Sequence, residues 1–179
     1  MKICIDPGHG GIDPGAIGKK PFVLNEKDVT LSISLLLKKE LEAKGHTVFL
    51  TRDTDIFVSL SNRAILANEK KVDIFISIHC NSFTSQASEG IETWIFPGST
   101  EGRKLGESVQ KSLALNFPGN KNRGIKEGNF QVLRETEMPA ILVECEFLSN
   151  PTQLQFLSDN NNQEKIAKAI TSGIEEYNK

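Results

Sequence analysis

The sequence predicts a single α/β domain, a twisted, mostly parallel sheet of about six strands flanked by helices. Short apolar runs alternate with helical patterns, the signature of βαβ units. The 179 residues fit one domain with a core large enough to fold alone. No repeat, low-complexity tract or linker divides them.

The elements follow in order. Residues 2–6 form the first strand and run into a Gly/Pro-rich loop over 10–25 that holds Gly10-Gly11 and Asp13-Pro14-Gly15. From about 27 to 44, Val29, Ile33, Leu36, Leu37 and Leu41 recur at helical spacing, and Gly45 stops the helix. Residues 47–52 give the second strand. A helix over 59–71 turns Leu60, Ala64 and Ala67 inward and leads to a strand at 73–78. Another strand covers 90–96, and the helix at 101–116 buries Leu105, Val109 and Leu113. Residues 118–128 read as an exposed polar connector, 130–133 as a short strand and 140–143 as the last long one. The final helix, about 163–177, buries Ile166, Ile170, Ile174 and Tyr177.

Composition excludes several classes. A formal net charge of −2 gives no electrostatic reason to expect a nucleic-acid partner. No apolar run approaches the roughly 20 residues of a membrane span, so membrane insertion is not expected. After Met1-Lys2 the chain is already a strand, which predicts no signal peptide and synthesis in a cytoplasm. Cys4, Cys80 and Cys145 are odd in number and sit in or beside apolar strands, which argues against a disulfide framework. Side chains alternate along a strand, so Cys80 and Cys145 should point away from their neighbours His79 and Glu144.

Four residues stand at the edges of apolar elements: His9, Glu26, His79 and Glu144. Ligands of a parallel α/β sheet bind outside the carboxyl ends of its strands, where His9, His79 and Glu144 arrive together. Glu26 joins them from the start of the first long helix. Two imidazoles and one carboxylate make a catalytic zinc set, one ion per chain, with water as the fourth ligand. A further carboxylate, Glu144, is placed to take a proton from that water and pass it to a leaving amine. His46, between Gly45 and a strand start, reads as a surface residue without a role. The first loop fits neither phosphate-binding pattern, because Asp13 stands where each needs glycine.

Taken in order, several stretches resemble the zinc-dependent N-acetylmuramoyl-L-alanine amidases of the type 3 family, which includes autolysins and phage endolysin catalytic domains. They are Ile5-Asp-Pro-Gly-His-Gly-Gly11, Glu26-Lys27, Leu50-Thr-Arg52, Leu60-x-x-Arg63 and Ala67-Asn68. Ser77-Ile-His-Cys-Asn81, Gly90-Ile-Glu92, Arg123-Gly124-Ile-Lys126 and Pro139-Ala-Ile-Leu-Val-Glu144 continue the series to Phe147-Leu-Ser-Asn150. The resemblance covers residues 2–177 and implies zinc ligands at His9, Glu26 and His79 and a catalytic glutamate at Glu144. It further implies bacterial peptidoglycan as substrate, cut between the lactyl group of N-acetylmuramic acid and L-alanine. A zinc peptidase cutting within the stem peptide shares the chemistry and stays as the alternative. Residues 1–179 would then be one amidase catalytic domain with no cell-wall-binding module of its own, reaching the wall after release from the cell.

One departure concerns Glu144-Cys-Glu-Phe147, where the family has Glu-x-Gly-Phe. Glu146 is expected on the turn as an exposed carboxylate, or else beside Glu144 and the stem peptide. Arg52 and Arg63 are expected to be structural ion-pair partners, with substrate contact as the alternative.

Overall fold

Alternation along the strands decides which residue reaches which layer. The computed structural model describes residues 1–179. The chain runs β1 (Lys2–Pro7), β2 (Ile17–Gly18), β3 (Leu24–Asn25), α1 (Glu26–Ala43), β4 (Thr47–Leu50), α2 (Leu60–Lys70) and β5 (Ile74–Asn81). It continues through β6 (Ile91–Ile95), α3 (Thr100–Asn116), β7 (Asn122–Glu127), α4 (Gln131–Arg134), β8 (Ala140–Phe147), α5 (Pro151–Ser158) and α6 (Asn160–Tyr177).

One six-stranded sheet has the order β4-β1-β5-β8-β6-β7, and β2 and β3 form a separate small hairpin. The first four strands of that order are parallel. β6 joins β8 antiparallel, and β7 lies parallel to β6. The expected mostly parallel α/β sheet is therefore what forms, with a reversed pair at one edge.

On one face, Ile3, Ile5, Ile76, Ile78, Ile141, Val143, Cys80 and Cys145 pack under α1, α3 and α6 in the main core. The alternate residues Cys4, Phe75, Ala140 and Leu142 build a smaller cluster with Ala67, Val72, Val132 and Leu133. Cys80 and Cys145 thus do turn away from His79 and Glu144. Burial pushes the thiols of Cys80 and Cys145 up and that of Cys4 to about 12, so none is a thiolate at neutral pH.

Three local expectations need correction. The connector after α3 is not an exposed loop throughout, because residues 122–127 pair with β6 as β7. Its polar Asn122-Arg-Gly sequence hides a strand that lies at the sheet edge, where polar side chains cost little. Residues 131–134 form the short helix α4 rather than a strand, burying Val132 and Leu133 one after the other. Leu60 is 51% exposed although Ala64 and Ala67 of the same helix are buried, since the helix begins there and its first turn overhangs a cleft.

His46 also differs from expectation. Its ring lies mostly buried, with Nε2 2.6 Å from Glu175 of α6 and Nδ1 3.3 Å from the terminal amine of Met1. Sequence gave no sign of a partner 129 residues away.

Candidate active site

The four residues singled out above meet at the carboxyl end of β1, β5 and β8. Their order across the sheet is set by register, with Pro7 opposite Ile78 and His79 opposite Glu144. One step further, Glu144 faces Glu92 across the antiparallel β8–β6 pair. Directly opposed residues share a face. His79, Glu144 and Glu92 therefore form one row on the face that carries the smaller cluster.

His9 hangs from the loop after β1 with φ +62, a left-handed conformation that costs a non-glycine residue roughly 1–2 kcal/mol. Surrounding contacts enforce it. Arg63 donates to the carbonyls of Pro7 and His9 at 2.7 and 2.8 Å, and Arg52 donates to those of Pro7 and Gly8 at 3.0 and 2.9 Å. Arg63 also pairs with Asp6 at 2.8 Å, as expected of a structural ion-pair partner. Arg52 is different. It meets carbonyls and the Thr30 hydroxyl rather than a carboxylate.

Gly8 and Gly15 are glycines because the site fills their side-chain space. A Cβ on Gly8 would run into the His79 ring, and one on Gly15 would lie 2.6 Å from both Glu26 Oε2 and His9 Cδ2.

Glu26, the first residue of α1, is the hub. Its Oε1 lies 2.9 Å from His79 Nδ1 and accepts the Cys80 N–H at 2.9 Å. Its Oε2 lies 3.1 Å from His9 Nε2 and accepts the Ala16 N–H at 2.8 Å. On its other side, His9 Nδ1 reaches Asp13 Oδ2 at 2.8 Å. From sequence, Asp13 belongs to the Gly/Pro-rich loop and counts only against phosphate binding, although an acid four residues after a histidine in that loop is an available signal. A carboxylate on Nδ1 fixes the ring so that Nε2 faces inward, the usual support for a metal-bound imidazole.

One ligand atom from each of His9, Glu26 and His79 lies within 4.8 Å of the others. Electrostatics agree with the spacing. Burial works to raise the Glu26 carboxyl, yet the hydrogen bonds from His79 and His9 hold it far below the carboxylate range. Burial works to lower His9, yet Glu26 and Asp13 push it up to about 9, and Glu26 raises His79 against the same opposition. The raised imidazoles report the carboxylate between them, and the lowered carboxyl reports the imidazoles in turn. A borderline nitrogen- and oxygen-loving divalent ion such as zinc fits the donor set.

Glu144 stands beside this group. Burial, with a smaller contribution from nearby Glu26 and Glu92, pushes its carboxyl up to about 7 in spite of His79. Its Oε2 is buried without a hydrogen-bond partner. A buried carboxylate oxygen without a partner is costly and calls for an explanation, of which a catalytic role is one.

Next to the two histidines opens a cleft of about 330 Å³ lined by Asp6, His9, Asp13, Phe57, Val58, Leu60, Arg63 and His79. A larger cavity, about 400 Å³, lies elsewhere between α3, α4 and the start of β8 and contains none of the four residues. Chemistry rather than size locates the site.

Glu146 is not exposed on the turn. It is fully buried and accepts from the Gly90 N–H at 2.7 Å, the Asn120 amide at 2.9 Å and the Phe147 N–H at 3.2 Å. Register shifts between His79 and Asn81, so β8 no longer tracks β5 evenly beyond Glu144, and simple alternation fails to place Glu146. It ties the start of β6 to the connector before β7.

Comparison with known proteins adds a second line. The family model described as N-acetylmuramoyl-L-alanine amidase matches residues 3–176. The chain is 34% identical to N-acetylmuramoyl-L-alanine amidase AmiC of Neisseria meningitidis over 98% of its own length and 52% of that relative, so it spans about half of it. Among solved structures it superposes on an N-acetylmuramoyl-L-alanine amidase from Clostridium difficile 630 with a TM-score of 0.94 at 40% identity, covering 98% of this chain and 95% of the other. The catalytic domain of CwlV, from Bacillus (Paenibacillus) polymyxa, gives 0.92 at 37% identity, covering 98% and 97%.

Proposed function

Because the chain belongs to the N-acetylmuramoyl-L-alanine amidase family, we propose that it hydrolyses the amide between N-acetylmuramic acid and L-alanine in bacterial peptidoglycan, with zinc held by His9, Glu26 and His79. The observation that carries the reading is the meeting of three metal-competent atoms within 4.8 Å beside Glu144, a carboxylate with an unpartnered buried oxygen.

Zinc bound there would supply Lewis acidity, lowering the pKa of water toward about 7 and polarising the lactyl carbonyl. The chain's own groups do the rest. Glu26 and the two imidazoles set the charge and position of the ion. Asp13 orients His9 through Nδ1, and the Arg52 and Arg63 contacts keep the His9 backbone in its left-handed turn. Glu144 takes the proton from attacking water and delivers it to the departing L-alanine nitrogen. One carboxylate suits both transfers because it sits next to the metal ligands in register with His79.

In this reading residues 1–179 are a catalytic unit, supported by the near-complete overlap with the CwlV catalytic domain. The setting is that of an endolysin or autolysin that meets the wall after release. No helix of the chain is long and apolar enough to cross a membrane.

The test is digestion of purified peptidoglycan with and without a chelator, followed by identification of the new amino termini. New L-alanine termini that vanish with chelator and return with zinc are expected. Termini elsewhere in the stem would make the protein a zinc peptidase. No termini from folded, zinc-loaded protein would refute hydrolysis.

A further inference from the structure

Beyond Glu144 the row of acids continues to Glu92, and there the charges do not balance. Glu92 is 1% exposed, yet its carboxylate collects four donors. Oε1 accepts from Asn81 Nδ2 at 2.9 Å and Trp94 Nε1 at 3.0 Å. Oε2 accepts from Arg123 Nε and lies 3.1 Å from Lys126 Nζ. A carboxylate has about four lone-pair sites, so Glu92 is saturated. Two cations share one carboxylate, and the cluster carries a net positive charge.

The cations are also presented outward. Arg123 and Lys126 are 27% and 32% exposed. Arg123 is the extra residue of a bulge in β7: Ile91 faces Asn122 and Glu92 faces Gly124, so Arg123 has no partner and is turned toward Glu92. Its guanidinium lies 5.0 Å over the Phe147 ring, and Nη1 reaches the Glu89 carbonyl at 3.3 Å. Nη2 donates to no protein atom. Lys126 rests 5.6 Å over the Trp94 ring with one contact to Glu92. Both are ordered by buried groups yet keep N–H donors for something outside the chain.

Position narrows what that is. Glu92 is one strand from Glu144, and strands are about 4.8 Å apart. A substrate whose scissile amide lies at Glu144 advances about 7 Å in two residues. A stem peptide that runs from Glu144 across β6 would bring its second residue over Arg123 and Lys126.

Resting on the amidase reading, we infer that Arg123 and Lys126 form an anionic subsite for the carboxylate of the stem peptide's second residue. They are specificity-determining residues, held in place by Glu92. The guanidinium supplies directional donors and the ammonium a point charge, a combination suited to one carboxylate. Amidation of that carboxylate would remove its charge and put an NH₂ against the two cations.

The test compares two muramoyl peptides, N-acetylmuramoyl-L-alanyl-D-glutamate with its γ-carboxyl amidated and the same compound with its α-carboxyl amidated as well. The zinc-loaded protein is expected to favour the free acid by about tenfold in kcat/KM, mainly through KM, which corresponds to about 1.4 kcal/mol. In R123Q and K126Q the ratio between the two substrates falls toward one. Each variant leaves Glu92 with the other cation, so the buried carboxylate is never unpaired. Calorimetric binding of the two released dipeptides to the unaltered protein gives a readout independent of turnover, with the free acid bound more tightly and the difference shrinking at high salt. Equal cleavage of both compounds overturns the subsite and leaves the amidase standing. Loss on both compounds alike in the variants also overturns it, since the cations would then act through Glu144. Cleavage of neither compound overturns the amidase reading itself, and the subsite with it.

Discussion

The two halves of the site are built on opposite plans. Around His9, Glu26 and His79 nearly every polar atom is answered from within the chain: Glu26 holds two imidazoles and two backbone N–H groups, and two buried arginines hold the His9 loop. Around Glu144 and the β6–β7 edge, groups are left open, namely Glu144 Oε2 and the outward donors of Arg123 and Lys126. An ion must find its ligands already in place, whereas a substrate is recognised by groups that have no other partner. In the proposed function the saturated half would hold the ion, and the open half would meet the substrate.

The sharpest way to break the comparison is to strike one residue in each half. His9→Ala should lose zinc and activity together. Glu144→Gln should keep stoichiometric zinc while turnover falls by about 10²–10⁴-fold, the usual worth of a proton-transfer group. Metal analysis beside a cleavage assay decides, and full zinc occupancy in His9→Ala would remove that residue from the ligand set.

A smaller effect tests the support of the saturated half. Arg63→Met leaves Asp6 buried opposite no cation, which should cost about 3–5 kcal/mol. That corresponds to a drop of about 6–20 °C in Tm for a chain of this size. Zinc should bind more weakly as well, because the His9 carbonyl loses its donor. A calorimetric Tm within a degree of the unaltered protein would mean that the arginine clamp is dispensable.

Smallest is the effect expected at Glu146, which lies beyond the site. Glu146→Gly strands the Gly90 N–H and the Asn120 amide, at a cost of about 1–3 kcal/mol, yet should keep at least about a tenth of the activity. A loss as deep as that of Glu144→Gln would show that the two carboxylates share the proton transfer.

Much of this was legible in the sequence, for identifiable reasons. Apolar strands such as 74–78 leave little doubt about where the sheet lies, and a histidine or glutamate ending such a strand has to appear at its edge. Helical periodicity gave α1, α3 and α6 to within a few residues. What stayed hidden depends on pairing. β7 is polar and becomes a strand only through its pairing with β6 at the sheet edge. The Glu92 cluster joins residues 31 and 34 positions apart through a bulge that no periodicity announces. Glu146 escaped because alternation along β8 fails past the register shift. The Asp6–Arg63 pair spans 57 positions, and only the fold brings it together.

Glu26 has one more consequence. Its two backbone partners, Ala16 and Cys80, come from separate stretches of chain that meet only when the domain is complete. The socket is therefore finished by folding rather than by its ion, and an imidazolium on either side answers the same carboxylate that a divalent cation would. If zinc binds as proposed, loading it would be an exchange of ion for protons at a standing framework.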